Sequence, residues 1–227
     1  MRAGVVRFPG SCDDRDAVDA CERAGHEARI LWHRDADLHG VDLVVIPGGF
    51  SFGDYLRVGA IARFSPVMGA VAGFAAAGGL VLGICNGFQV LCEAGLLPGA
   101  LLPNASLRFV CRQVELEVAN PRTQFTSACA EGARLSIPAK HTTGRFWAPD
   151  DQLDALERDG QVVLRYADGH RFNASARAIA GVTNADGNVM GLMPHPEHAV
   201  DELVGGSADG LRLFAGVAAA VGARVAA

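Results

Sequence analysis

Residues 80–91 read LVLGICNGFQVL, an apolar run that stops at Cys85, passes through a polar, glycine-bearing corner and resumes as a second apolar run. Gly83, Cys85 and Gly87 form G-x-C-x-G, the thiol counterpart of the nucleophile elbow. In that motif a sharp strand-to-helix turn exposes the reactive side chain, and small neighbours leave room for the turn. A helix starting near Asn86 would aim its first amides and positive dipole end at the sulfur, which favours thiolate over thiol. A buried cysteine closing a strand is the plain alternative, and glycines on both sides favour the nucleophile. A thiol nucleophile needs a base, and the base needs an orienter. The segment MPHPEH offers His195 and Glu197. In an extended segment residues two apart share a side, so Glu197 can hold the far nitrogen of His195, with Pro196 stiffening the pair. His198 makes a metal site conceivable, but the sequence shows no further clustered ligand set, so the Cys-His-Glu reading ranks above it and no metal is assigned. A third element, PGGFSFGDYLRVGAIA from Pro47, ends an apolar run with Gly48-Gly49. Backbone amides there lie at a sheet's carboxyl edge and can donate to an oxyanion. No G-K-[ST] follows and the G-x-G-x-x-G spacing is absent, which argues against a phosphate loop.

These residues need strands and helices to bring them together, and the first half of the chain alternates the two. AGVVRF, EARILWH, DLVVIPGG and LVLGIC read as strands, with helices over DDRDAVDACERAG and from Ser65 to Ala77. Strands joined by helical crossovers predict an open, mostly parallel α/β sheet with helices on both faces, binding its ligand beyond the strands' carboxyl ends. After Leu102 the texture changes. RFVCRQVELEVA, ARLSIPAKHTTGRF and QVVLRYADG read as extended segments, DDQLDALERDG as a helix, NADGN as a hairpin turn, and a helix is expected from about Ser207. With no repeat and no linker, residues 1–227 are taken as a single domain.

Composition narrows the function classes. Half of the residues are apolar and the formal net charge is -5, so a large core is available and no basic excess exists to bind nucleic acid. The six cysteines are scattered, with no C-x-x-C pair and no apolar h-region in MRAGVVRFPG, so a reducing, cytoplasmic setting is expected. Val67 to Cys85 carries no charge over 19 residues, long enough to nominate a membrane span. Gly78-Gly79 interrupts it, and the residues change from helix-forming to strand-forming across the break, so no membrane is expected as a partner.

PGGFSFGDYLRVGAIA, LGICNGFQVLCEAGLLPGAL and GNVMGLMPHPEHAV together resemble the class I, triad-type glutamine amidotransferases, and within them the glutaminase subunits of phosphoribosylformylglycinamidine synthase. The likeness runs from about Val5 to Phe214. It implies a flavodoxin-like fold and a site in which Cys85 attacks the side-chain amide of glutamine, His195 handles protons and Glu197 orients His195. The amides of Gly49 and Asn86 would hold the oxyanion, and Gln89 would help seat the glutamine. It also implies partners: a large synthetase subunit, which uses ATP and Mg to make the amidine in purine biosynthesis, and a small bridging subunit, with no cofactor in this chain itself. The chain departs from the family's common pattern at PGSCDD near the start, where PGSNCD is usual, at AKHTTGR (Ala139 to Arg145), at NAS (Asn173 to Ser175), and at His198, where an arginine is common.

Overall fold

The computed structural model describes residues 1–167 and 172–217. Strand β1 (Arg2–Arg7) leads into α1 (Asp14–Arg23), whose first turn carries Asp14 and Asp16 and whose last carries Arg23, matching charge to the helix dipole. Then come β2 (Glu27–Trp32), β3 (Leu43–Ile46), α2 (Pro66–Ala76), β4 (Leu80–Ile84) and α3 (Asn86–Glu93). Proline opens α2 where its missing N–H costs nothing, and Gly78 at φ +84° follows its end. The uncharged stretch is thereby cut into a helix and a buried strand. Among the described residues no helix is long and apolar enough to cross a membrane.

The second half supplies β5 (Ala100–Pro103), β6 (Val110–Val118), β7 (Arg134–His141), β8 (Thr143–Trp147), α4 (Asp150–Arg158), β9 (Val162–Tyr166), β10 (Ile179–Thr183), β11 (Val189–Leu192) and the short α5 (Glu202–Gly205). The expected extended segment at ARLSIPAKHTTGRF is two strands. β8 leaves the main sheet after Thr142 and pairs with β5, a strand that sequence patterning does not show. NADGN joins β10 to β11 as expected, with the Asn184 side chain accepting from Val189 N–H at 3.0 Å. Residues 211–217 are helical; the rest of the expected C-terminal helix, and the end of QVVLRYADG, lie outside the described residues.

The main sheet has the order β2-β1-β3-β4-β11-β10-β9-β6-β7. It is parallel from β2 through β11 and antiparallel beyond. β3, β4, β10 and β11 are buried at every residue, as a sheet covered on both faces requires. The crossover through α1 steps one way along the sheet and the one through α2 the other, so right-handed connections put these helices on opposite faces. The order reverses between β1 and β3, which is where such sheets open a crevice at their carboxyl edge.

The antiparallel half does more than extend the sheet. β7 stands five places from β4 in the strand order, roughly 24 Å away if the sheet were flat. Yet the Cys85 sulfur, just past β4, lies 3.8 Å from the Lys140 carbonyl on β7. His195 N–H, just past β11, donates to Pro138 O at 2.8 Å. The sheet therefore curls until its far edge returns to the carboxyl ends of the parallel strands.

Candidate active site

Cys85 sits between β4 and α3 at φ +50°, ψ −102°, a left-handed conformation that a residue with a side chain adopts only under constraint. Its N–H donates to Leu192 O at 2.8 Å and its carbonyl accepts from Gln89 N–H at 3.1 Å, which pins the corner to β11 and α3. The two glycines expected to permit this turn do so by close packing. A Cβ on Gly83 would come within 2.5 Å of Leu91 Cδ1, and one on Gly87 would overlap the Ile46 carbonyl oxygen. The elbow is confirmed as geometry: strand, strained cysteine, helix.

His195 and Glu197 are both fully buried, and His195 Nδ1 lies 2.6 Å from Glu197 Oε1. The pairing expected from sequence is present, but the backbone that makes it differs. Pro196–His198 is a 3-10 turn and not an extended segment, so the carboxylate returns to the ring because the chain bends. Burial works to lower the His195 pKa, and the Glu197 and Cys85 charges, with the hydrogen bonds from both, outweigh it and raise it to about 10. The balance favours the protonated ring, set between the Glu197 carboxylate and the Cys85 sulfur.

Gly49 lies at φ +148°, where a Cβ would strike Cys12 N and Gly10 O, each at 2.7 Å. The bridge between Ser11 and Gly49 is closed by Cys12 N–H to Gly48 O and Phe50 N–H to Gly10 O, so the Gly49 N–H is not used in it. Asn86 is the first residue of α3, where N–H groups have no partner within the helix. Its side chain accepts from Ser51 N–H at 3.2 Å and donates to Gln89 Oε1 at 3.1 Å, while Gln89 Nε2 donates to Thr143 O at 2.5 Å. Gln89 is thus fixed by both ends of its amide, with one hydrogen and one lone pair left over. Cys85, His195, Gly49, Gln89, Asp13 and His141 line one cleft of about 100 Å³.

Asp13, Lys140 and His141 were not singled out as site residues by sequence reasoning. Lys140 Nζ lies 2.6 Å from Asp13 Oδ1 and 2.9 Å from His198 Nε2, and Asp13 Oδ2 lies 3.5 Å from His195 Nδ1. Burial works to raise the Asp13 carboxyl; its contacts with His198, His195 and Lys140 outweigh this and hold it well below the usual carboxylate range. Three departures from the resembled pattern, SCDD, AKHTTGR and His198, meet at this one point. Donor atoms of Asp13, His195, Glu197 and His198 lie within 4.8 Å of one another, so the clustered set that the sequence did not show exists in space. The Lys140 ammonium already supplies a positive charge to it. His141 donates from Nδ1 to Asn104 Oδ1 at 3.0 Å, and burial followed by the His195 charge pulls its pKa down to about 4. It faces the cleft as a neutral ring, whereas Arg145, on β8, is not in the lining. Clearer signals for Asp13 existed in its place just beyond β1 at the switch point.

Comparison with known proteins gives concordant likenesses. Residues 1–209 match the model of the CobB/CobQ-like glutamine amidotransferase domain. The chain is 59% identical over 213 residues to phosphoribosylformylglycinamidine synthase subunit PurQ of Mycolicibacterium paratuberculosis, covering 94% of each chain. It is 57% identical over 225 residues to the subunit of the same name from Rubrobacter xylanophilus, covering 99% of this chain and 100% of the relative. Among solved structures it is similar to a chain of PurLQS from Thermotoga maritima, with a TM-score of 0.89, 45% identity, and coverage of 97% of this chain and 98% of that one.

Proposed function

The chain belongs to the CobB/CobQ-like glutamine amidotransferase family, and from that premise we propose that it is the glutaminase subunit of a phosphoribosylformylglycinamidine synthase. The observation that carries the chemistry is the buried Cys85, His195 and Glu197 constellation, in which Cys85 and His195 line one cleft and Glu197 holds His195 from behind. The Cys85 thiolate attacks the side-chain amide carbon of glutamine, and the oxyanion forms against the N–H groups of Gly49 and Asn86. His195, held by Glu197, gives its proton to the amide nitrogen, the C–N bond breaks and ammonia leaves. A γ-glutamyl thioester remains on Cys85. Neutral His195 then takes a proton from water, whose attack releases glutamate and restores the thiolate, so that glutamine and water yield glutamate and ammonia. Gln89, at the cleft wall, seats the substrate.

Ammonia passes to a separate large synthetase subunit, with a small bridging subunit completing the complex. That partner uses ATP and Mg to convert formylglycinamide ribonucleotide to formylglycinamidine ribonucleotide, and this chain holds neither cofactor nor metal. Its place is the cytoplasm. Support comes from the relatives' shared subunit name and from the PurLQS origin of the structural relative.

The test separates ammonia supply from synthesis. In the complex reconstituted with the cognate synthetase, Cys85→Ala is expected to abolish glutamine-dependent amidine formation while external ammonium restores it to near the wild-type rate. A wild-type chain that hydrolyses glutamine yet never supports glutamine-dependent synthesis would leave only a generic thiol amidase.

A further inference from the structure

Behind His195 stands a charged group that amide cleavage by the triad does not use. Asp13 is 4% exposed and presents one oxygen to Lys140 at 2.6 Å and the other to His195 Nδ1 at 3.5 Å. The Nδ1 proton is taken by Glu197 at 2.6 Å, so Asp13 acts on the ring through its charge and not by a second hydrogen bond. Gly48 permits the approach: a Cβ there would come within 2.6 Å of His195 Cε1 and would collide with Asp13. We infer that Asp13 is a positioning residue acting through His195, a second carboxylate that holds the imidazolium in place for amide cleavage, with Lys140 setting how strongly it does so.

The electrostatics require the lysine. Two carboxylates beside one ring repel each other, and an uncompensated pair would take up a proton. Lys140 neutralises Asp13 at the carboxylate oxygen that does not face His195. Its Nζ also lies 2.9 Å from His198 Nε2, which in turn lies 3.3 Å from Asp13 Oδ1, so the three side chains form one network. The groups facing His195 are the carboxylates of Glu197 and Asp13, the sulfur of Cys85, His141 as a neutral ring, His198 at 5.4 Å between ring centroids, and Lys140 through Asp13. Removing the Asp13 charge leaves Lys140 unpaired near His195 and disfavours the imidazolium. Removing the Lys140 charge leaves Asp13 unopposed and favours it. A structural brace has no reason to produce opposite signs.

This inference rests on the glutaminase reading, and its test keeps the two apart. For the full chain in complex with its synthetase, kcat and KM for glutamine are measured against pH, and the rate of Cys85 alkylation by iodoacetamide is measured in parallel. Asp13→Asn is expected to lower the alkaline limb, where the imidazolium loses its proton, by about one pH unit. It should also cut kcat about tenfold with KM for glutamine nearly unchanged. Lys140→Met is expected to move the limb upward. Circular dichroism and Tm check that both variants are folded, and if Asp13→Asn is not, the sign of the Lys140→Met shift decides. An unmoved limb in folded Asp13→Asn, or shifts of one sign in both variants, overturns the inference. A wild-type complex without glutaminase activity instead overturns the functional premise, while the alkylation profile still reads the pairing of His195 with its neighbours.

Discussion

The two walls of the cleft are built by different physics. On the nucleophile side, Cys85, Gly49 and the start of α3 are held by backbone contacts: glycines at 83, 87 and 49 sit where no Cβ fits, and Cys85 itself is forced to positive φ. On the base side, His195, Glu197, Asp13, Lys140 and His198 are held by charge, each within 3.5 Å of another member of the group. The first wall fixes where atoms are. The second fixes which protons they carry. A reaction that needs a placed nucleophile and an imidazolium ready to protonate a poor leaving group needs both kinds of rigidity.

The contrast can be broken most severely from the charged wall. His195→Ala removes the proton carrier paired with the sulfur and is expected to lower kcat by about 10³-fold or more, whereas Glu197→Gln keeps the ring in place and should cost about ten- to a hundredfold. Steady-state glutaminase kinetics on the complex distinguish them; equal losses would give Glu197 a role beyond orientation.

The steric wall should fail differently, by taking stability with it. Gly87→Ala drives a methyl into the Ile46 carbonyl, so α3 must shift and move Cys85 with it. A loss of about 2–3 kcal/mol is expected in denaturant unfolding, with a fall in activity of roughly a hundredfold. Retained activity in a destabilised Gly87→Ala protein would show that the elbow tolerates movement of its helix.

Acid sharpens the comparison with the smallest effect. Asp13 has a folded-state pKa below its unfolded value, so its contribution to stability is complete above the unfolded pKa of about 3.9 and is lost as pH falls through the folded one. Stability should therefore fall less steeply below about pH 4 in Asp13→Asn than in the wild type. Identical acid-unfolding slopes would mean that the network's charges add nothing to the folded state.

The same division explains what the sequence discloses. The elbow is local: its glycines lie within two residues of Cys85 and its strand and helix are contiguous, so pattern alone locates it. His195 and Glu197 are also local, and their contact was foreseen although the 3-10 turn that makes it was not, because short histidine-proline segments support either backbone. The charged network is not local. Lys140 and Asp13 are 127 residues apart, and His198 and Asp13 are 185 apart, so no spacing rule connects them. The parallel half was legible because strand and helix periods alternate there. Strand β5 was not, since its four residues carry no alternation and its partner β8 lies far along the chain.

The curl that brings β7 back to the parallel strands has a consequence for how the chain becomes active. Residues up to about 97 contain Cys85, Gly49 and the start of α3, yet the corner is tied to Leu192 on β11, its opposing carbonyl comes from Lys140 and its base from His195. Contacts of such long sequence separation bear the largest loop-closure entropy and form late in folding. A chain whose far sheet edge has not docked is therefore expected to lack a proton carrier beside its cysteine, and amidase activity is expected only after docking. Catalytic competence is expected to arise with sheet closure, so an activity-based thiol probe applied during refolding would time that closure.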